Sequence, residues 1–226
     1  MEQNVLKQRV ALAALDELVD GTVVGVGSGS TVDLFIDALA TQRDRFAGAV
    51  SSSRRSTERL RAHGIAVMEL AELIESGLPA PVYVDGADEI DPLLQMIKGG
   101  GGALTREKIV AAAFERFVCI VDASKVKPTL GAFALPVDVI PMASALVARA
   151  LHGLGGAARV REGFITDDGN LVLDVAGLRI EPADARALES RIDAMAGVVT
   201  CGLFAARPAD VVLIASPEGI ERRVRS

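Results

Sequence analysis

Apolar positions in the first half of the chain alternate between helical spacing and short continuous runs. Val5, Leu12, Leu15 and Leu18 recur near helical spacing within residues 4–18, and Asp20-Gly21 ends that pattern. The stretches that follow predict helices at 32–39, 56–63 and 103–115, and strands at 22–26, from 49, 65–68, 81–84 and 117–121. Helices and strands that alternate in this way are typical of parallel α/β units.

The pattern changes near Gly131. Residues 133–204 predict, in order, strand, helix, strand, strand, helix and strand, and the turn of the central hairpin falls at 167–170. This βαββαβ order is that of a ferredoxin-like module. The run DVVLIA at 210–215 then predicts a buried strand that rejoins the first sheet, and the arginines of the terminal ERRVRS are expected in a solvated tail.

The fold class that follows is α/β, with a Rossmann-like parallel sheet domain and an inserted ferredoxin-like α+β domain. We expect residues 1–131 and 206–226 to form the first domain and residues 132–205 the inserted one. Because a strand of the first sheet is expected after the second module, that module interrupts the first domain instead of following it.

Composition narrows the classes of function. The 226 residues carry a net charge of -6 and 4% aromatic residues, which disfavours nucleic acid as a partner. No apolar stretch approaches the roughly 18 residues of a membrane span, and the N-terminus lacks a signal-peptide layout, so we expect a cytoplasmic protein without a membrane partner. His63 and His152 have no partner at zinc spacing, and Cys119 and Cys201 lie in apolar runs as reduced thiols do, so no metal is expected.

Two loops after predicted strands carry candidate chemistry, because ligands bind beyond the carboxyl ends of strands in an open parallel sheet. Gly25–Thr31 (GVGSGST) offers glycines, hydroxyls and a helix N-terminus, which suits a phosphate, although a plain strand-to-helix turn is the alternative. Val84–Asp91 (VDGADEID) crowds carboxylates at a strand end, which suits acid–base work, although Asp and Gly also favour turns. The four acids are Asp85, Asp88, Glu89 and Asp91.

The stretch Lys98–Val110 (KGGGGALTREKIV) is the most informative. Four consecutive glycines cost conformational entropy and suit a backbone that must approach a ligand closely. In the helix that follows, Glu107 falls on the apolar stripe of Leu104, Ala111 and Phe114, which turns a carboxylate inward. A partly buried acid near a lysine and a glycine loop is a candidate general base, and a solvated acid at a helix N-terminus is the alternative.

Two further lysines are candidates for an anion site. Lys125 follows the predicted strand 117–121, at the same sheet edge as the other loops. Lys7 lies on the first predicted helix and is a weaker candidate of the same kind. For each of them, an ordinary solvated surface lysine is the alternative.

Together these motifs resemble ribose-5-phosphate isomerase, type A. GVGSGST, VDGADEID, KGGGGALTREKI, DASK and PVDVIPMA occur in that family's order and spacing, so the resemblance covers almost the whole chain. It implies that Glu107 is the catalytic base and that Asp85 and Lys98 are also catalytic. It further implies that substrate is bound by Ser28, Gly29, Ser30, Thr31, Asp85, Gly86, Ala87, Asp88, Lys98, Gly99, Gly100, Gly101 and Lys125.

The resemblance implies interconversion of ribose 5-phosphate and ribulose 5-phosphate through an enediolate, in a homodimer or homotetramer. That chemistry moves a proton between C2 and C1 and needs neither metal nor redox cofactor, so none is expected. The chain departs from the family in three places: Ser28 stands where Thr is usual, Gly102 where Ala is common, and Arg54 where an acid often follows the serines.

A sugar-phosphate sensor on a related α/β fold is the alternative function. A sensor needs the phosphate loop but no base, and it usually carries a helical DNA-binding module, for which the single N-terminal helix is too short. An acyl-CoA transferase-like enzyme would need a nucleophilic glutamate and a larger chain. The joint presence of Glu107, Asp85 and Lys98 favours an enzyme.

Overall fold

The structure is a computed structural model that describes residues 3–225. Its α-helices are α1 (Gln3–Ala13), α2 (Ser30–Ala40), α3 (Arg54–Ala62), α4 (Leu70–Ser76), α5 (Leu104–Ala113), α6 (Ser144–His152) and α7 (Ala185–Asp193). Its strands are β1 (Val23–Val26), β2 (Gly48–Ser51), β3 (Val82–Asp85), β4 (Glu89–Ile90), β5 (Met96–Ile97), β6 (Arg116–Asp122), β7 (Leu135–Val139), β8 (Ala157–Val160), β9 (Leu171–Ala176), β10 (Val198–Cys201), β11 (Leu203–Phe204), β12 (Val211–Ser216) and β13 (Gly219–Val224).

The chain divides into two compact units. The first comprises the residues up to Gly86, Arg106–Ser124 and the residues from Ala209 onward. The second comprises Ala87–Thr105 and Lys125–Pro208. The division into a first domain of residues 1–131 and 206–226 and an inserted domain of residues 132–205 stays a prediction.

The first unit is built on a six-stranded sheet in the order β13-β12-β6-β3-β1-β2. Its strands pair in parallel except for β13, which is antiparallel to β12. β1, β3 and β6 are buried almost throughout, as expected for parallel strands covered on both faces. The α/β class is therefore confirmed, and the run DVVLIA does rejoin the first sheet, beside β6.

Two segments differ from what the hydrophobic pattern predicts. The ERRVRS segment is not a tail, although Arg222 and Arg225 are exposed to solvent as expected. Arg222 and Arg223 belong to β13, because an edge strand needs little apolar surface and these side chains pair with Glu17 and Glu221. The predicted strand at 65–68 is only a single bridge from Val67 to Ala49. No helix in residues 3–225 is long and apolar enough to cross a membrane.

The second unit contains a four-stranded antiparallel sheet in the order β10-β7-β9-β8, with α6 and α7 in the connections. This is the ferredoxin-like arrangement that the βαββαβ pattern predicts. A second sheet, β11-β5-β4, was not predicted. The strand expected at 198–204 is split at Gly202. The Gly202 N–H donates to Pro136 O at 2.7 Å, and the Gly202 C=O accepts from the Lys98 N–H at 2.9 Å. The chain therefore passes from one sheet to the other at this residue.

Candidate active site

The glycine-serine loop joins β1 to α2 in the first unit. β1 is buried at all four positions, and α2 begins at Ser30 after Gly29, whose φ is 97°. Ser30 and Thr31 therefore stand in the first helical turn, where backbone N–H groups are free to bind an anion. The Lys7 ammonium donates to Ser30 Oγ at 2.9 Å, which adds positive charge to the same loop.

Ser28 connects two of the predicted catalytic acids. Its hydroxyl donates to Glu107 Oε1 at 2.6 Å, and its backbone N–H donates to Asp85 Oδ1 at 3.1 Å. Three residues that are distant in sequence are therefore brought together at the carboxyl ends of β1 and β3. A phosphate-type loop and two acids thus form one cluster, which the sequence predicted only as separate loops.

Asp85 is fully buried at the end of β3 and is held by several donors. Tyr83 Oη donates to Oδ2 at 2.5 Å, and the Gly86 N–H donates to Oδ1 at 2.7 Å. Burial raises the pKa of the Tyr83 phenol well above its usual value, and the negative charges of Asp85 and Glu107 raise it further. Tyr83 therefore stays a hydrogen-bond donor to the carboxylate over the physiological pH range.

Glu107 lies in the first turn of α5, and 3% of its surface is exposed. The inward orientation predicted from the stripe of Leu104 and Ala111 is therefore observed. A buried carboxylate is costly unless it is hydrogen-bonded. The Ser28 hydroxyl supplies a short bond of that kind, so the side chain is fixed at the loop end of the helix.

The four acids of VDGADEID separate into two pairs by what they contact. Glu89 is buried and accepts the N–H groups of Gly131 and Phe133, at 2.7 Å each. It therefore holds the loop before β7 against β4, within the second unit. Asp91 accepts the N–H groups of its own turn. Asp85 and Asp88 instead accept from the two loops that carry the other candidate residues, the glycine-serine loop and the glycine loop.

In the second unit, Asp88 and Lys98 flank the glycine loop. Asp88 Oδ2 accepts the Gly100 N–H at 2.8 Å. Lys98 is 3% exposed, and its Nζ lies 5.6 Å from the ring centroid of Phe204, within the range of a cation–π interaction. Lys125 ends a 3-10 turn after β6 and is half-buried. The structure thus brings Asp88 to Gly100, and the role of Lys125 in binding an anion stays a prediction.

Two residues at these positions were missed in the sequence. Tyr83 is the chain's single tyrosine and stands two residues before Asp85, so the two side chains share one face of β3. The alternation of side chains along a strand could therefore have predicted that Tyr83 contacts Asp85. Phe204 could not be found in this way, because more than 100 positions separate it from Lys98. Among residues 3–225, no group of three or more His, Cys, Asp or Glu side chains is arranged to hold a metal ion.

Comparison with known proteins gives a consistent result. Residues 48–219 match the family model of ribose 5-phosphate isomerase A (phosphoriboisomerase A). The chain is 57% identical over 229 residues to ribose-5-phosphate isomerase A of Bordetella petrii, covering 100% of this chain and 99% of that protein.

Solved structures agree with the sequence relatives. Ribose 5 phosphate isomerase A from Neisseria gonorrhoeae superposes with a TM-score of 0.94 at 40% identity, covering 100% of this chain and 98% of the other. A D-ribose-5-phosphate isomerase in complex with phospho-erythronic acid gives 0.92 at 32% identity, with full coverage of both chains. The chain therefore belongs to the ribose 5-phosphate isomerase A family.

Proposed function

We propose that this isomerase interconverts D-ribose 5-phosphate and D-ribulose 5-phosphate through an enediolate, with Glu107 as the base. The same proposal assigns it to the non-oxidative pentose phosphate pathway in the cytoplasm, as a homodimer or homotetramer without a cofactor. The single observation that carries the mechanism is the placement of Ser28, whose hydroxyl and N–H bind the carboxylates of Glu107 and Asp85.

The proposed reaction conserves atoms and electrons within the sugar. Glu107 removes the proton from C2 of the open-chain aldose, the C–H electron pair forms the C1–C2 double bond, and the carbonyl oxygen O1 becomes the enediolate oxygen. Glu107 then returns a proton to C1. The O2 hydroxyl gives up its proton and becomes the ketone, and O1 takes up one proton and becomes the C1 hydroxyl, so the sugar keeps the same number of protons. C1 is reduced and C2 is oxidised, so no external electron acceptor is needed.

Asp85 is proposed to move protons at O1 and at the ring oxygen, which is O4 in a pentose 5-phosphate, including during ring opening. Three hydrogen bonds from Tyr83, Gly86 and Ser28 hold its carboxylate in one orientation. A side chain fixed in this way loses little entropy when it meets the sugar, which is the condition for efficient positioning.

The developing negative charge is proposed to be stabilised by Lys98 and the amides of the glycine loop. A buried ammonium interacts with an oxyanion more strongly than a solvated one, because the surrounding dielectric is lower. Asp88 would orient sugar hydroxyls, and Lys125 would bind the phosphate together with the loop Ser28–Thr31. Gly29, Ala87, Gly99 and Gly101 would contribute backbone contacts, as the family resemblance implies.

A solved relative supports the substrate class. It is described as a complex with phospho-erythronic acid, a phosphorylated polyhydroxy acid. The carboxylate of this acid spreads negative charge over two oxygens, as an enediolate does. A site complementary to such a molecule suits the transition state of aldose–ketose isomerisation better than it suits the neutral sugar.

The first experiment asks whether the protein is an enzyme. Purified protein is mixed with ribose 5-phosphate in the presence of a chelator, and ribulose 5-phosphate is measured. The proposal expects conversion that the chelator does not change. Binding of the sugar phosphate without conversion would contradict it and would favour the sensor instead.

The second experiment tests the base. Glu107→Gln keeps the size of the side chain and its contact with Ser28, so the affinity for sugar phosphate by calorimetry should remain within a few-fold of the wild type. A positioned general base accelerates a reaction by about 10²–10⁴-fold, so kcat of Glu107→Gln should fall by that factor. Glu75→Gln, on an exposed position of α4, is the matched control. A Glu107→Gln variant with normal kcat, or with lost affinity and normal turnover, would refute the role.

A further inference from the structure

Arg161 lies beside the glycine loop, at the end of β8 in the second unit. Its backbone N–H donates to Val172 O at 2.8 Å, which continues the pairing with β9. Its Nη1 donates to Gly99 O at 3.2 Å and to Gly100 O at 3.1 Å. We propose that Arg161 is a positioning residue for the isomerase reaction, which fixes the backbone of the glycine loop without touching the substrate.

The guanidinium is itself held in one orientation. Nε and Nη2 of Arg161 donate to the two carboxylate oxygens of Asp174, at 2.9 Å and 2.5 Å. The guanidinium carbon also lies 5.4 Å from the ring centroid of Phe164. A bidentate pair of this kind fixes direction as well as distance. Nη1 is therefore the nitrogen left to reach the loop, and it points there because Asp174 aligns the other two.

The loop is held from its other side as well. The Gly100 N–H donates to Asp88 at 2.8 Å, and a Cβ at Gly102 would meet the ring of Phe164 at 2.1 Å, so that ring packs directly on the backbone. Glycines have no side chains to restrict them, and a run of them is mobile unless neighbours hold it. Arg161 on one side and Asp88 on the other supply that restriction.

The direction of one N–H follows from these contacts. The peptide bonds are trans, so the C=O and N–H of one peptide point in opposite directions. When Arg161 binds the C=O of Gly100, the N–H of Gly101 points away from the guanidinium. A donor with a fixed direction stabilises an oxyanion without reorganisation at the moment of reaction. Arg161 thus sets the direction of an amide that the proposed function assigns to the enediolate.

This inference rests on the proposed function for the role of the glycine loop, so the test measures the loop and the reaction separately. Arg161→Met removes the donors and keeps most of the apolar length. Hydrogen exchange at the Gly100 amide reports whether the loop has loosened. A misplacement of about 1 Å near the reacting atoms costs up to about 10²-fold, so we expect kcat to fall by about 10–10²-fold. KM should change by less than about threefold, since phosphate binding is assigned to other residues.

Two further variants make the test specific. Arg159→Met carries the same change in charge and length at an exposed position two residues earlier on β8, and it should retain wild-type exchange and kcat. Arg161→Lys restores one donor and should recover part of the lost kcat. If Arg161→Met fails to fold, Asp174→Asn keeps the shape of the partner and weakens the alignment, and it should lower kcat in the same direction by a smaller factor.

The inference would be overturned by unchanged Gly100 exchange in Arg161→Met, by faster exchange with normal kcat, or by an equal loss in Arg159→Met. A failure of the proposed function looks different. It would appear as full activity in Glu107→Gln with an intact Arg161. The two failures are therefore separable in the same set of variants.

Discussion

Gly27 offers the sharpest steric test of the site, because a side chain there would occupy the position of Asp85. A Cβ at Gly27 would lie 1.9 Å from Asp85 Cγ and 2.1 Å and 2.4 Å from its two oxygens. The Gly27 backbone is outside the left-handed region, so Gly27→Ala introduces a clash without torsional strain. The predicted effect therefore comes from displacement of the carboxylate alone.

The size of the displacement follows from the geometry. Non-bonded carbon atoms approach to about 3.5–4.0 Å, so the Asp85 carboxylate or the loop must move by roughly 1.5–2 Å. Asp85 is held by bonds of 2.5 Å to Tyr83, 2.7 Å to Gly86 and 3.1 Å to Ser28, which cannot all survive such a shift. A misplacement of about 1 Å can cost about 10²-fold in rate, so kcat should fall by at least about 10²-fold. Overpacking of this kind also destabilises by about 1–3 kcal/mol, measurable by urea unfolding.

The assay is steady-state isomerisation combined with a double-mutant cycle. If Gly27→Ala acts by moving Asp85, then adding it to Asp85→Asn should reduce kcat little further, because residues in contact are non-additive. Gly86→Ala is the matched comparison: apart from its two chain neighbours, the nearest described atom to its Cβ would be Ile120 O at 3.7 Å, an ordinary van der Waals distance, so the loss of kcat should be much smaller. A Gly27→Ala enzyme with near-normal kcat, or one whose effect is fully additive with Asp85→Asn, would refute the reasoning.

Three further predictions concern the side chains of Ser28, Glu89 and Asp138. Ser28→Ala removes the donor to Glu107 and should lower kcat by about 10-fold, the equivalent of about 1.4 kcal/mol, whereas Ser28→Thr keeps the hydroxyl and should retain most activity; equal kcat in both variants would contradict this. Glu89→Gln leaves one backbone N–H without its acceptor and should lower the free energy of unfolding by about 1–3 kcal/mol without changing kcat, as urea denaturation and kinetics would show. Burial raises the pKa of Asp138, so the folded state holds this proton more tightly than the unfolded chain, and the resulting stability is lost as pH rises above 3.8. The free energy of unfolding of Asp138→Asn should therefore rise relative to that of the wild type as pH increases from 3.8 towards neutrality. A difference between the two free energies that does not change with pH would contradict the assignment.

The periodic part of the architecture could be predicted from the sequence, because faces and strand ends follow from local spacing. The stripe of α5 was sufficient to turn Glu107 inward, and the buried run at 211–215 was sufficient to return the chain to the first sheet. β13 was missed because an edge strand can be polar and charged, so its arginines resembled a tail.

Pairings between distant residues could not be predicted in this way. Nothing local links Arg161 to Gly100, or separates Glu89, which supports a loop, from Asp85, which faces the glycine-serine loop. Both outcomes depend on which strands become neighbours. The spacing of hydrophobic residues shows which face of a helix or strand is buried, but it does not show which other helix or strand packs against that face.

The proton transfer itself can be followed with ribose 5-phosphate that carries deuterium at C2. The rate at which deuterium leaves C2, whether it reappears on C1 of ribulose 5-phosphate or in the solvent, reports whether the proton is abstracted from C2. With Glu107 as base, the wild type removes the label at its catalytic rate, and Glu107→Gln removes it at least about 10²-fold more slowly while still binding the sugar phosphate. Removal of the label by Glu107→Gln at the wild-type rate would show that another group takes the proton.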